Sequence, residues 1–314
     1  MLLQNGKQHL PGTFEFADVG ASWVKLIGVA SSLGCLYPGC EHAPRLLHDS
    51  GLIDGLRQLE HKTLWQAMLG AEVQSAIPVE RALNDLTWKL ARIIQQQVEE
   101  HNFFVVLGGD HSCAMGTWQG VYRAMHNQGP YGLIWIDAHM DSHTPLTSPS
   151  GAYHGMPLAW LLGAVPTTGA LHGGKRFLDP AYLSLIGVRA FEAEEARLLE
   201  RLGVRVFYLE EVRSRGIVSV MSEAVSRAMQ ATCGYGVSLD LDALDPLDAP
   251  GVSVQEADGL RSSELLKGLS VLKKAGGLLG IEITEYNPSR DVHRKTSELI
   301  SLLLAQVLPG SRDL

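Results

Sequence analysis

Residues 103–112 read Phe-Phe-Val-Val-Leu-Gly-Gly-Asp-His-Ser. A strand with one solvated face would alternate apolar and polar residues, so five apolar residues in a row describe a strand buried on both faces. Gly108-Gly109 ends the run, and Asp110, His111 and Ser112 follow at once. The pattern recurs. Leu133–Ile136 runs into Asp137, and Gly236–Leu241 carries Asp240 near its end. Val24–Ala30, Tyr182–Val188, Val204–Leu209 and Gly277–Thr284 read as further strands. Between them Arg81–Glu99, Glu192–Leu202, Val218–Ala231, Ser262–Ala275 and Arg294–Leu308 read as helices. The first has Leu83, Leu86, Leu90, Ile93, Ile94 and Val98 near helical spacing. Wholly apolar strands separated by helices indicate an α/β fold, a parallel sheet covered on both faces in three αβα layers. The polar residues sit at the carboxyl ends of strands, the edge where such sheets bind ligands. No repeat, biased tract or linker divides the chain, so 1–314 reads as one domain with 1–22 as an N-terminal extension.

Composition narrows the function. Of 314 residues 46% are hydrophobic and 19% charged, enough apolar side chain for a packed core and too little charge for a disordered chain. The formal net charge of -8 argues against nucleic acid as a partner, which calls for a basic face. Met1 to Gly12 lacks the apolar core of a signal peptide, and no apolar run approaches the ~18 residues of a membrane helix. A cytoplasmic enzyme without membrane attachment is expected. Cys35, Cys40, Cys113 and Cys233 form no CxxC pair and read as small, mostly buried thiols.

Three segments carry chemistry: Gly108-Gly109-Asp110-His111-Ser112, Asp137-Ala138-His139-Met140-Asp141 and Ser238-Leu239-Asp240-Leu241-Asp242. They offer His111, Asp137, His139, Asp141, Asp240 and Asp242 as metal ligands, with Asp110 as a spare. In the second and third segments the ligands stand two apart, and in an extended chain alternate side chains share a face. A lone Asp at a strand end could merely cap the next helix. Three clusters at three strand ends are hard to explain by capping. Carboxylates with a few imidazoles suit a divalent ion such as Mn²⁺. Six ligands are too many for one ion that must admit substrate, and suit two ions sharing carboxylates, a pair that supplies hydroxide at neutral pH.

Read together, these segments resemble the signature of the ureohydrolases, the family of arginases and agmatinases. The resemblance runs from Gly39-Cys40-Glu41-His42-Ala43-Pro44 to Glu282-Ile283-Thr284-Glu285-Tyr286-Asn287-Pro288. It implies one α/β domain with an eight-stranded parallel sheet and two Mn²⁺ per subunit. Carried over, His111, Asp137, Asp141 and Asp240 would hold one ion and His139, Asp137, Asp240 and Asp242 the other, Asp137 and Asp240 bridging. The implied reaction is hydrolysis of a guanidino group to urea and an amine, with Asp141 among the catalytic residues. Glu285 matches the carboxylate that pairs with the guanidinium, and His154 matches the proton-shuttle histidine. The family also implies a homo-oligomer, a trimer or hexamer. A phosphoesterase or a single-zinc amide deacetylase is a second class of reading, and a non-catalytic metal-dependent binding protein a third; two bridging aspartates and two histidines favour the binuclear hydrolase.

The stretch Thr144-Pro145-Leu146-Thr147-Ser148-Pro149-Ser150-Gly151 resembles the arginase loop that holds the carboxylate of the amino acid, with Ser148 and Ser150 as its hydroxyl donors. Glu192 stands where arginases place an Asp for the α-amino group, and Glu195 matches a second acidic position. Where arginases carry Asn, this chain has His143 and Ala152. L-arginine is the leading substrate of this reading. Guanidinobutyrate, another guanidino acid, agmatine, or the formimino substrate of a formimidoylglutamase are the alternatives.

Overall fold

The computed structural model describes residues 23–58, 62–70, 77–166 and 173–308. The expected N-terminal extension, 1–22, lies outside the described residues. Eight strands form one sheet: β1 (Val24–Ala30), β2 (Thr63–Gly70), β3 (Phe103–Leu107), β4 (Gly132–Ile136), β5 (Leu183–Val188), β6 (Arg205–Tyr208), β7 (Tyr235–Asp240) and β8 (Leu278–Thr284). Their order is β2-β1-β3-β8-β7-β4-β5-β6, and every neighbouring pair is parallel. Seven of these strands fall within a residue of the apolar runs. β2 was not read from the pattern. It is an edge strand, Thr-Leu-Trp-Gln-Ala-Met-Leu-Gly, in which only Thr63 is buried, so it needs no continuous apolar run.

The helices are α1 (Ala43–Asp49), α2 (Leu52–Gln58), α3 (Val79–Glu99), α4 (Ala114–Met125), α5 (Pro157–Leu161), α6 (Ala193–Leu202), α7 (Leu209–Arg215), α8 (Ile217–Ala228), α9 (Ser262–Ala275) and α10 (Lys295–Val307). Successive residues of the central strands feed opposite cores. Val105, Ile134 and Ile136 pack with Leu56, Val220, Leu265 and Leu303 on one face. Phe104, Val106, Leu133 and Trp135 pack with Leu90, Ile94, Trp118 and Leu199 on the other. The sheet is thus buried on both sides, as its apolar strands require.

β3, β8, β7 and β4 are consecutive in the sheet. The chain steps outward from β3 by way of α4 to β4, across the places that β7 and β8 take later. Strand order reverses there, and a crevice opens at the carboxyl ends of these four strands.

Candidate metal centre

The crevice receives one segment from each central strand. His111 follows β3, Asp137, His139 and Asp141 follow β4, Asp240 ends β7, and Glu285 follows β8. A pleat does not bring the paired ligands together, contrary to the sequence expectation. Both pairs lie in turns closed by a carboxylate. Asp137 Oδ1 accepts the N–H of His139 at 2.7 Å, and Asp240 Oδ1 accepts that of Asp242 at 2.9 Å. Asp110 makes the same turn with Ser112 and also accepts Gly34 N–H, so both its oxygens are used; it is a cap and not a spare ligand. Capping and ligation are therefore compatible: one oxygen of Asp137 and Asp240 shapes the turn while the other faces the crevice.

His111 Nδ1 lies 3.3 Å from Asp137 Oδ2 and 3.0 Å from both Asp141 Oδ2 and Asp240 Oδ2. One N–H cannot serve three oxygens, and His111 Nδ1 and Asp141 Oδ2 are buried with no well-formed hydrogen bond. His139 Nδ1 lies 3.4 Å from Asp137 Oδ1 and 3.1 Å from Asp242 Oδ2. Among the described residues three groups have metal-ligand spacing, and two of them lie here, His111–Asp137–Asp141 and Asp137–His139–Asp242, sharing Asp137; the third is His143–Glu192–Glu195. Asp240 meets His111 through Oδ2 and its own turn through Oδ1.

Four carboxylates face two imidazoles in a buried space. Burial, then Asp242 and Asp137, push Asp240 well above the carboxylate range. Burial and Asp137 raise Asp141 to about 6. Burial opposes a proton on His111, yet Asp137, Asp141 and Asp240 outweigh it and lift that imidazole well above its usual value. Such a surplus of negative charge with orphaned ligand atoms fits divalent cations.

At the edge of this cluster Glu285 Oε1 accepts His111 N–H at 2.8 Å and faces His154 Nδ1 at 3.0 Å. Glu285 Oε2 is buried without a partner. Burial disfavours a proton on His154, but Glu285, then Asp110 and Asp141, raise it to about 10. Neighbouring side chains hold the ligands. Trp135 Nε1 donates to Asp137 Oδ2 at 2.9 Å, and its ring stacks on that of His111. His111 Nε2 meets Ser238 Oγ at 2.9 Å, which donates to the wholly buried Glu282.

The arginase family model matches residues 22–309. The arginase of Bacillus caldovelox is 34% identical over 293 residues, 90% of this chain and 97% of its own length. That of Bacillus subtilis is 33% identical, covering 91% and 98%. The chain belongs to the arginase family. The crystal structure of the Bacillus cereus arginase, 30% identical, superposes with a TM-score of 0.84 over 92% of this chain and 99% of that one. Membership makes this chain a metal-dependent hydrolase of linear amidines.

Outside the ligands, the arginase-like features gather where the turn after β4 meets the start of α6. His143 Nε2 lies 2.9 Å from Glu192 Oε2 and 3.4 Å from Glu195 Oε2, and His143 Nδ1 lies 3.2 Å from Thr147 Oγ1. Glu192 is exposed at the start of α6. Glu195 is buried, accepts N–H groups of Ser142 and Glu192, and is raised to about 7 by burial. Ser148 and Ser150 accept the N–H of Gly151 and Ala152 through their hydroxyl oxygens, and the two hydroxyls lie 3.4 Å apart, so one can donate to the other. Trp135, Ser238 and Glu282 were not singled out by sequence reasoning, though they stand within or beside the motifs. Arg189 and Glu256 were not singled out either: Arg189 stands three residues before Glu192, and Glu256 lies in a segment without a motif.

Proposed function

We propose that this chain is a binuclear manganese amidinohydrolase that converts L-arginine to L-ornithine and urea. The observation that carries the reading is Glu285 Oε2, a buried carboxylate oxygen without a partner beside the ligand cluster. A planar, forked cation is the group that satisfies such an oxygen. In this reading His111, Asp137, Asp141 and Asp240 would hold one Mn²⁺, and His139, Asp137, Asp240 and Asp242 would hold the other. Such a pair supplies Lewis acidity and lowers the pKa of water towards neutrality.

The chain's own residues do the rest. Glu285 has Oε1 committed to His111 N–H and His154, so Oε2 orients the guanidinium. Asp141, whose Oδ2 is buried without a well-formed hydrogen bond, would serve as a ligand and as the carboxylate that accepts a hydrogen bond from water at the centre. His154 Nδ1 is engaged by Glu285, which leaves Nε2 to hand a proton to the departing amine. His143, Ser148, Ser150, Glu192 and Glu195 form the outer end that grips the rest of the substrate. We place the enzyme in the cytoplasm as a homo-oligomer, a trimer or hexamer. Among the described residues no helix is long and apolar enough to cross a membrane.

The contact of His143 with Glu192 favours a second reading, in which another guanidino compound is the preferred substrate. Urea release by Mn²⁺-loaded protein, compared by kcat/KM for L-arginine, agmatine, guanidinobutyrate and other guanidino acids, decides between them. L-arginine is expected to lead. Another guanidine in the lead keeps the metal chemistry and reassigns the outer pocket. No urea from any of them overturns the proposal, and formamide from a formimino substrate as the only product identifies a formimidoylglutamase.

A further inference from the structure

The two imidazoles of the cluster are braced by different kinds of group. Both turn Nδ1 towards carboxylates. On its outer side His111 Nε2 meets Ser238 Oγ, and Ser238 leans on Glu282, which also accepts from Thr117 Oγ1 at 2.6 Å and Trp118 Nε1 at 2.9 Å. All of these side chains are buried. His139 has a different outer neighbour. Its Nε2 faces Glu256 Oε1 at 3.6 Å, and the Glu256 side chain is 34% exposed. Glu256 stands on the side of the ring opposite Nδ1, so it does not belong to the ligand set itself.

An imidazole that ligates through Nδ1 is neutral and carries its proton on Nε2. The group facing Nε2 then fixes the tautomer and the plane of the ring. The segment bearing Glu256 is itself tied down. Arg189 donates to the carbonyls of Glu256 at 2.9 Å and Ala257 at 3.0 Å, and also to those of Asp242 at 2.7 Å and Ala243 at 3.2 Å. One guanidinium thus fastens the Glu256 segment to the turn that carries Asp242, the carboxylate nearest His139 Nδ1.

We infer that Glu256 is a positioning residue for the half of the centre formed by His139 and Asp242, acting through the His139 imidazole. The halves are consequently unequal. One is braced by a buried hydroxyl backed by a carboxylate, the other by a carboxylate on a partly exposed segment. This inference rests on the binuclear reading proposed above.

The test titrates Mn²⁺ into the metal-free full-length chain by calorimetry, with metal content after dialysis measured by plasma mass spectrometry. Wild type is expected to take two ions. E256A is expected to keep one binding step and to weaken the other by about 10- to 100-fold. E256Q keeps an acceptor without the charge, and a smaller loss at the same step is expected; it gives the readout if E256A fails to fold. S238A is expected to weaken the complementary step, so that S238A/E256A loses both. A merely structural role would lower both steps together. Two wild-type steps in E256A, or equal weakening of both, overturns the inference alone. A wild-type chain that binds a single ion overturns the binuclear reading and this inference with it.

Discussion

Glu285 and Asp141 hold their backbones at φ of 64° and 46°, a region that residues with a Cβ rarely occupy. Such strain persists only where neighbours over-determine it. Around Glu285 they do: its N–H donates to Gly109 O at 2.8 Å while its side chain accepts from His111 N–H. The left-handed residue turns the chain just past β8 and aims the carboxylate back over the strand ends. Nothing in the string Glu-Ile-Thr-Glu reveals that turn, although the residue itself was legible from its motif. Glu285→Gln is nearly isosteric and keeps one acceptor oxygen, so the fold is expected to stand. Losing one partner of a buried charge pair costs about 2–5 kcal/mol, read here as the fall in kcat/KM on the best guanidino substrate. A variant within a few-fold of wild type would show that the guanidinium is held elsewhere.

At the scale of elements, the helix that follows the first ligand segment is the least legible part. α4 contains Gly116, Thr117 and Gly120, poor helix formers, and was not anticipated. Packing overrides propensity there. A Cβ on Gly116 would stand 2.9 Å from Leu90 Cβ, and one on Gly120 would stand 2.6 Å from Ile94 Cβ, so the two glycines let α4 lie directly on α3. Gly236 of β7 likewise leaves room for the Trp118 ring, whose N–H reaches Glu282. Gly120→Ala gains helix propensity yet overpacks this contact, and a net loss of about 1–3 kcal/mol is expected. The urea unfolding midpoint checks it. An unchanged or higher midpoint would mean that the α3–α4 contact gives way freely.

For the whole molecule, the metal-free chain is set against itself at the crevice. Asp141 at about 6 and Glu195 at about 7 are raised by burial above ordinary values of 3.8 and 4.5. A group raised on folding contributes stability that is complete below its unfolded value and is lost as pH rises through its folded value. His111 and His139, also raised, act in the same sense. Asp137 and Glu285 are depressed, by the imidazoles beside them, against the effect of burial; their contribution is lost only as pH falls through the acid range. From about pH 5.5 to about pH 8 the first sense prevails, so the metal-free Tm is expected to fall. Divalent ions answer the same surplus charge and bind better as the ligands lose protons. Mn²⁺ in hundredfold excess over its Kd adds about 2.7 kcal/mol. Melts with Mn²⁺ and with chelator at both pH values check this, and a metal-free Tm that climbs with pH contradicts it.

The parallel sheet and the positions of six candidate ligands at its edge were readable in one dimension, because burial on both faces demands unbroken apolar strands and leaves polar residues only at their ends. Family motifs then supplied Glu285 and His154. β2, an edge strand without that demand, left no such trace. The carboxylate-closed turns, the left-handed backbones at Asp141 and Glu285, and the approach of Glu256 and Arg189 came from three dimensions. Each depends on contacts between segments far apart in the chain, as His111 and Glu285 are by 174 residues. No local pattern encodes a partner that only packing brings near.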